Sequence, residues 1–153
     1  MVIAIASDHG GTDLKQQLVE QLQERPGVQV LDLGTHGTES VDYPEYARRV
    51  CTALFTGEAD RGILLCGTGL GMSMAANRHP GIRAALCHDE FTARLSRRHN
   101  DANVLVLGGR LLGGALAAAI LDLWLTEPFE GGRHQRRIDL LDKQDESFSI
   151  EPH

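Results

Sequence analysis

Short apolar runs alternate along the chain with longer stretches in which apolar residues recur every third or fourth position. The runs fall at 2–6, 28–33, 62–66, 82–87 and 103–107 and are rich in Val, Ile, Leu and Ala. Runs of this length predict strands, and those with few polar interruptions predict strands buried on both faces. Between them the period lengthens. Residues 13–24 bring Leu14, Leu18 and Leu22 to one face, and 43–55 bring Tyr46, Ala47, Val50 and Leu54 together. Both spacings predict helices, as do 71–77, 89–98, 112–125 and 133–141. Strand–helix alternation predicts an α/β fold, a single three-layer Rossmann-like domain with a five-stranded parallel sheet covered on both faces. The domain is expected over 1–141. The polar stretch 142–153 is expected to fray or to reach a neighbouring subunit.

Parallel sheets place their sites at the carboxyl ends of strands, and here every strand exit carries glycine, polar or ionisable residues. They are Ser7-Asp8-His9-Gly10-Gly11, Gly34-Thr35-His36-Gly37, Cys66-Gly67-Thr68-Gly69-Leu70-Gly71, Cys87-His88-Asp89 and Gly108-Gly109-Arg110. The third is the most informative. A buried strand ends on a thiol, glycines turn the backbone and bare its N–H groups, and a helix starts. That sets an acid–base group or nucleophile beside donors suited to oxyanions or phosphate. The loop lacks the Gly-Lys-Ser/Thr of a nucleotide P-loop and the G-x-G-x-x-G of a dinucleotide fingerprint. A purely structural turn with Cys66 as a small buried hydrophobe is the other reading.

Composition narrows the classes. The chain has 153 residues, 42% hydrophobic and 24% charged, enough for one domain with a core. A net charge of -6 argues against a nucleic-acid partner. No apolar run reaches membrane-spanning length, and the opening residues read as a strand, not a signal peptide. Cys51, Cys66 and Cys87 are few, odd in number and widely spaced, which predicts a reducing cytoplasm with neither a disulfide framework nor a C-x-x-C metal site. His36, His79 and His88 lack ligand spacing and read as surface or supporting residues, so no metal is expected.

Several residues carry two readings. Asp8 suits either catalysis or the cap of the following helix, and adjacent His9 points away from it. Asp42 and Pro44 suit a helix start, with Tyr43 as a hydrophobic staple or a ligand contact. His99, Asn100 and Asp101 cap a helix or serve a site. Arg133 and Arg137, four apart beside His134 and Arg136, suit a phosphate clamp or a solvated basic face. Cys51 reads as core, and Cys87 as core or site wall.

Taken in order, these strand exits resemble the type B ribose-5-phosphate and galactose-6-phosphate isomerase family. Asp32-Leu33-Gly34-Thr35, Asp42-Tyr43-Pro44, Arg98-His99-Asn100-Asp101-Ala102-Asn103-Val104-Leu105 and Glu130-Gly131-Gly132-Arg133-His134-Gln135-Arg136-Arg137 complete the set. The resemblance implies an aldose–ketose isomerase of ribose 5-phosphate and ribulose 5-phosphate that needs no cofactor. It implies Cys66 as the base that shuttles a proton between C1 and C2. Some members use a Glu just after the loop instead, where this chain has Met72. Thr68 and His99 are implied in ring opening, and the amides of the 67–71 loop (Gly67, Gly69 and Gly71 among them) in holding the enediolate. Asp8, Tyr43 and Asn100 are implied as sugar contacts, and His9, Arg110, Arg133 and Arg137 as the phosphate set. The family further implies a homodimer or dimer of dimers with shared sites, His99 and Asn100 coming from the partner. Three alternatives stand beside this: a six-carbon substrate such as allose or galactose 6-phosphate, a non-catalytic sugar-phosphate-binding module, and a redox or cysteine-hydrolase domain.

Overall fold

The structure, a computed structural model, describes residues 1–141 and 143. The rest of the polar stretch after 141 lies outside the described residues. The elements run β1 (Val2–Ser7), α1 (Thr12–Gln23), β2 (Gln29–Asp32), α2 (Tyr43–Phe55), β3 (Arg61–Cys66), α3 (Leu70–Ala76), β4 (Ala84–Leu86), α4 (Glu90–Asn100), β5 (Val104–Gly108), α5 (Gly114–Thr126) and α6 (Arg133–Leu141). The strands form one parallel sheet in the order β2-β1-β3-β5-β4.

Strand alternation divides the core in two. Ile3, Ile5, Ile63, Leu65, Leu105 and Leu107 face one layer, where they meet α1, α4 and α5. Ala4, Ala6, Leu64, Cys66, Val104 and Val106 face the other, under α2 and α3. The second face is built of smaller residues, so α2 approaches closely. A Cβ at Gly62 would lie 2.5 Å from Val50 Cγ1. The apolar bulk of α5 is turned inward: Ala117, Ile120, Leu121 and Trp124 are fully buried. Leu116 alone of its large apolar residues stands on the exposed side.

Lys15 lies on the buried face of α1, an uncommon place for an ammonium. It is paired. Its Nζ donates to both carboxylate oxygens of Asp32 at 2.6 and 2.8 Å. Asp32 Oδ1 also accepts the Gly34 N–H at 3.0 Å. Removing one partner of such a buried pair typically costs about 3–5 kcal/mol. The pair thus fixes the chain leaving β2 against the exit of β1, where Ser7 N–H donates to Gly34 C=O and Thr35 N–H to Ser7 C=O.

Candidate active site

The sheet order reverses between β1 and β3, whose following helices α1 and α3 cover opposite faces. Such a switch point opens a crevice at the carboxyl ends of the strands. In the β1–β3 register Ser7 lies opposite Leu65. The next residues, Asp8 and Cys66, therefore leave the two strands side by side, on the face of Ala6 and Leu64.

Asp8 is buried, and its Oδ1 accepts the Gly10 N–H at 2.8 Å. It is not the cap of α1: Gly11 holds the N-cap position, with no side-chain cap bond. Cys66 Sγ accepts the Gly69 N–H at 3.0 Å, which fixes the thiol beneath its loop. Gly69 has φ of 80°, a left-handed conformation that favours glycine. Thr68 is exposed, and its Oγ1 accepts the Leu70 N–H at 3.4 Å. Two amides of the 67–71 loop are therefore engaged within the loop itself.

The rest of this end is assembled by close backbone approach. A Cβ at Gly10 would lie 2.9 Å from Gly67 N, and one at Gly109 would lie 2.7 Å from Gly10 O. Arg110 crosses Gly67, so a Cβ there would meet its Cδ at 3.3 Å. The Tyr43 ring lies over Gly71, where a Cβ would come within 2.9 Å of Cζ. Tyr43 is exposed at the first turn of α2, a ring on the loop and not a buried staple. His9 Nδ1 accepts the Val41 N–H at 3.3 Å, which leaves Nε2 to carry the proton in the neutral ring. Asp8, His9, Tyr43, Cys66, Gly67, Thr68, Gly69, Gly71 and Arg110 thus gather at the carboxyl edge.

The remaining expected residues lie at the opposite edge. Helix α4 starts where β4 ends and runs back to the amino end of β5. Its last turn carries His99 and Asn100 there, followed by Asp101 as a left-handed C-cap at φ 43°. Neither His99 nor Asn100 is the cap. Helix α6 packs on α4, and Glu130 N–H, just before it, donates to Arg98 C=O at 3.0 Å. Arg133 and Arg137 are exposed on α6, while His134 and Ile138 turn inward. Within one chain the expected phosphate set is divided: His9 and Arg110 lie at one end of the sheet, Arg133 and Arg137 at the other. A cavity of about 320 Å³ at this amino edge is lined by His99, Asn100, His134, Arg137, Ile138 and Leu141. A second, about 660 Å³, opens nearby with Arg83 and Asn100 in its wall. Neither reaches Cys66.

Sequence spacing pointed to no ligand set, but folding brings His99, Glu130 and His134 together, their ligand atoms within 4.8 Å of one another. The two imidazoles stack, with centroids 4.1 Å apart and planes 8° from parallel. A metal lies in the plane of each imidazole that binds it, and stacked rings aim their lone pairs side by side. The arrangement suits a shared carboxylate better than a shared ion. Burial, with the charges of His99 and Arg133 beside it, holds the His134 imidazole below its ordinary value. The other thiols stay outside the chemistry. Burial pushes both Cys51 and Cys87 up to about 11, and both sit in the core.

Sequence reasoning missed Lys15 and the Glu130–His134 pair. A lysine in line with Leu18 and Leu22, and a Glu–His pair four residues apart, were the signals available.

The profile of a family described as Ribose/Galactose Isomerase matches residues 3–141. Ribose-5-phosphate isomerase B of Escherichia coli (strain K12) is 51% identical over 139 residues, covering 91% of this chain and 93% of that protein. The solved structure of ribose-5-phosphate isomerase B from Clostridium thermocellum superposes with a TM-score of 0.91 at 54% identity, covering 93% of this chain and 95% of that one. A Thermotoga maritima ribose 5-phosphate isomerase structure gives 0.90 at 57% identity, covering 92% and 97%.

Proposed function

The chain belongs to the ribose/galactose isomerase family, and from that premise we infer that it interconverts ribose 5-phosphate and ribulose 5-phosphate. The single observation that carries the chemistry is Cys66, side by side with Asp8 at the strand switch point and held under an amide-rich loop. Moving a proton between C1 and C2 needs one base within reach of both carbons, and a thiolate at a fixed strand end meets that need. The enediolate formed between the two transfers carries charge on O1 and O2. Preorganised backbone donors hold such charge at low reorganisation cost. With Gly69 N–H on the sulfur and Leu70 N–H on Thr68, that work falls to the other amides of the loop.

Asp8 and Tyr43 flank the loop and contact the sugar hydroxyls in this reading, and His9 and Arg110 take the phosphate. Ring opening breaks the C1–O4 bond as the C1 hydroxyl gives up its proton and the furanose oxygen gains one, the role given to His99 with Thr68. The topology of α4 supports a shared site. A substrate at Cys66 reaches a ring-opening histidine only if a second copy supplies it, so the active unit is a two-fold dimer. The partner's His99, the partner's Asn100, the partner's Arg133 and the partner's Arg137 then complete each site. The phosphate is thereby clamped by both subunits, and binding energy far from C1 and C2 becomes available at the reacting carbons. Three free cysteines support a reducing compartment such as the cytoplasm. Among the described residues no helix is long and apolar enough to cross a membrane.

Relatives named for ribose 5-phosphate favour the five-carbon substrate over allose or galactose 6-phosphate. A coupled assay of all three sugar phosphates, with unphosphorylated ribose beside them, tests this. The highest kcat/KM is expected for ribose 5-phosphate. Cys66→Ala is expected to lose ~10²–10⁴ in turnover while still binding substrate. Near-normal turnover of that variant would remove Cys66 from the reaction.

A further inference from the structure

His99 stands on the last turn of α4 with its side chain about a third exposed, 36%. An imidazole so placed is free to rotate, and a proton donor works only when aimed within hydrogen-bond reach of its target. Two neighbours restrict it. His134 lies flat against the ring at 4.1 Å. One carboxylate oxygen of Glu130 lies 3.7 Å from His99 Nε2 and 3.5 Å from His134 Nε2. Glu130 is itself tied to α4 through its backbone bond to Arg98. His134 sits on the buried side of α6 beside Ile138, its own side chain 6% exposed.

We propose that His134 and Glu130 are positioning residues for the ring-opening step, the stacked ring setting the plane of His99 and the carboxylate holding its Nε2 edge. The idea rests on the reading of His99 given above. It assigns His99 Nδ1 as the nitrogen presented to the furanose, since Nε2 faces Glu130. A carboxylate behind an imidazole steadies the cation that forms when Nδ1 takes the C1 hydroxyl proton, and the ring regains its neutral tautomer when Nδ1 passes that proton to the furanose oxygen as the C1–O4 bond breaks. Burial first, then the charges of His99 and Arg133 beside it, disfavour a proton on His134, so the stacked pair resists carrying two charges. Arg133, Arg137 and Arg98 also face this corner, and Glu130 offsets part of their charge.

The substrates themselves separate this role from a structural one. Ribose 5-phosphate closes a furanose through its C4 hydroxyl and must be opened before C2 is deprotonated. Ribulose 5-phosphate has its C5 oxygen blocked by phosphate, forms no furanose, and exchanges its C1 proton without ring opening. Forward turnover of ribose 5-phosphate and exchange at C1 of ribulose 5-phosphate in D2O are measured for the wild type and four variants: His134→Ala, His134→Phe, Glu130→Gln and His99→Asn. His134→Ala and Glu130→Gln are expected to slow forward turnover ~10-fold or more, with C1 exchange within about twofold of wild type. His134→Phe keeps a flat ring and is expected to recover part of the loss. Equal loss of both reactions, or unchanged forward turnover beside a slowed His99→Asn, overturns the positioning role. If His99→Asn itself keeps full forward turnover, the ring-opening reading of His99 fails and takes this proposal with it. Should the alanine variant misfold, the phenylalanine and glutamine variants carry the comparison alone.

Discussion

The two ends of the sheet are built by different means. At the carboxyl end the working groups are sunk and backbone-held: Cys66 is 5% exposed and Asp8 8%, and three exits pack so closely that a Cβ at Gly10 or Gly109 would come within 3 Å of the neighbouring backbone. At the amino end they are side chains on helix surfaces, with Arg133 and Arg137 exposed and His99 held by its neighbours. The difference matches what the proposed reaction asks of each half. Proton transfer at carbon and enediolate stabilisation need donors fixed to a fraction of an ångström, which strand ends and close-packed loops supply. Phosphate capture needs charge and reach, which long arginines on a helix supply. In the proposed shared site, each end supplies what the other lacks.

The sharpest way to break this comparison is to damage the two ends on different chains. Cys66→Ala and His99→Ala are each expected to be nearly inactive. Mixed under mild denaturant and refolded together, they form about half mixed dimers, each with one doubly damaged and one intact site, so about a quarter of all sites recover. With chain exchange verified, a mixture no better than its parents would place both residues in one subunit's site. A smaller effect tests the amino end as a clamp. Arg137→Ala removes a charge-assisted contact and is expected to raise KM for ribose 5-phosphate ~10-fold or more, leaving unphosphorylated ribose nearly unaffected. Equal losses would reduce α6 to a solvated basic face. The smallest test concerns the carboxyl end alone. Because burial raises Cys51 and Cys87 to about 11, both remain thiols at pH 8. Iodoacetamide on the folded protein is then expected to label Cys66 first, with activity falling in step and substrate protecting. The same raised values carry a sign. Stability held by the neutral thiols is complete below pH 9 and is lost as pH rises toward 11. Labelling of Cys51 or Cys87 ahead of Cys66 would contradict the core assignment.

Most of the fold was legible because strand and helix periods alternate cleanly. The misjudged boundaries have local causes. An expected strand over 82–87 shortens to Ala84–Leu86 because Ile82 N–H turns back to His79 C=O after Pro80-Gly81. Helix α4 runs past 98 to Asn100 because Asp101 adopts the left-handed conformation that ends it. The carboxyl-end residues were legible for a topological reason, as they stand directly after strands. The same logic held an unused signal for the others. In a parallel sheet whatever lies between a helix and the next strand falls at the amino edge, so His99 and Asn100 were separable from Cys66 without coordinates. The partners of His99 were less accessible. Glu130 and His134 meet it only through the packing of α6 on α4, which no local pattern reports. Lys15 was readable as an anomaly on an apolar face, but its partner Asp32 lies on a strand seventeen residues away.

The direction of one helix has a further consequence. Because α4 carries His99 away from the edge where Cys66 sits, an isolated chain of the proposed shared-site enzyme holds every catalytic part and catalyses nothing. Activity then appears only on encounter, and at high dilution it falls faster than the amount of protein, as mass action requires of an obligate pair. In such an enzyme a freshly made chain is silent until a second folds beside it, and correct assembly is itself the last step of maturation.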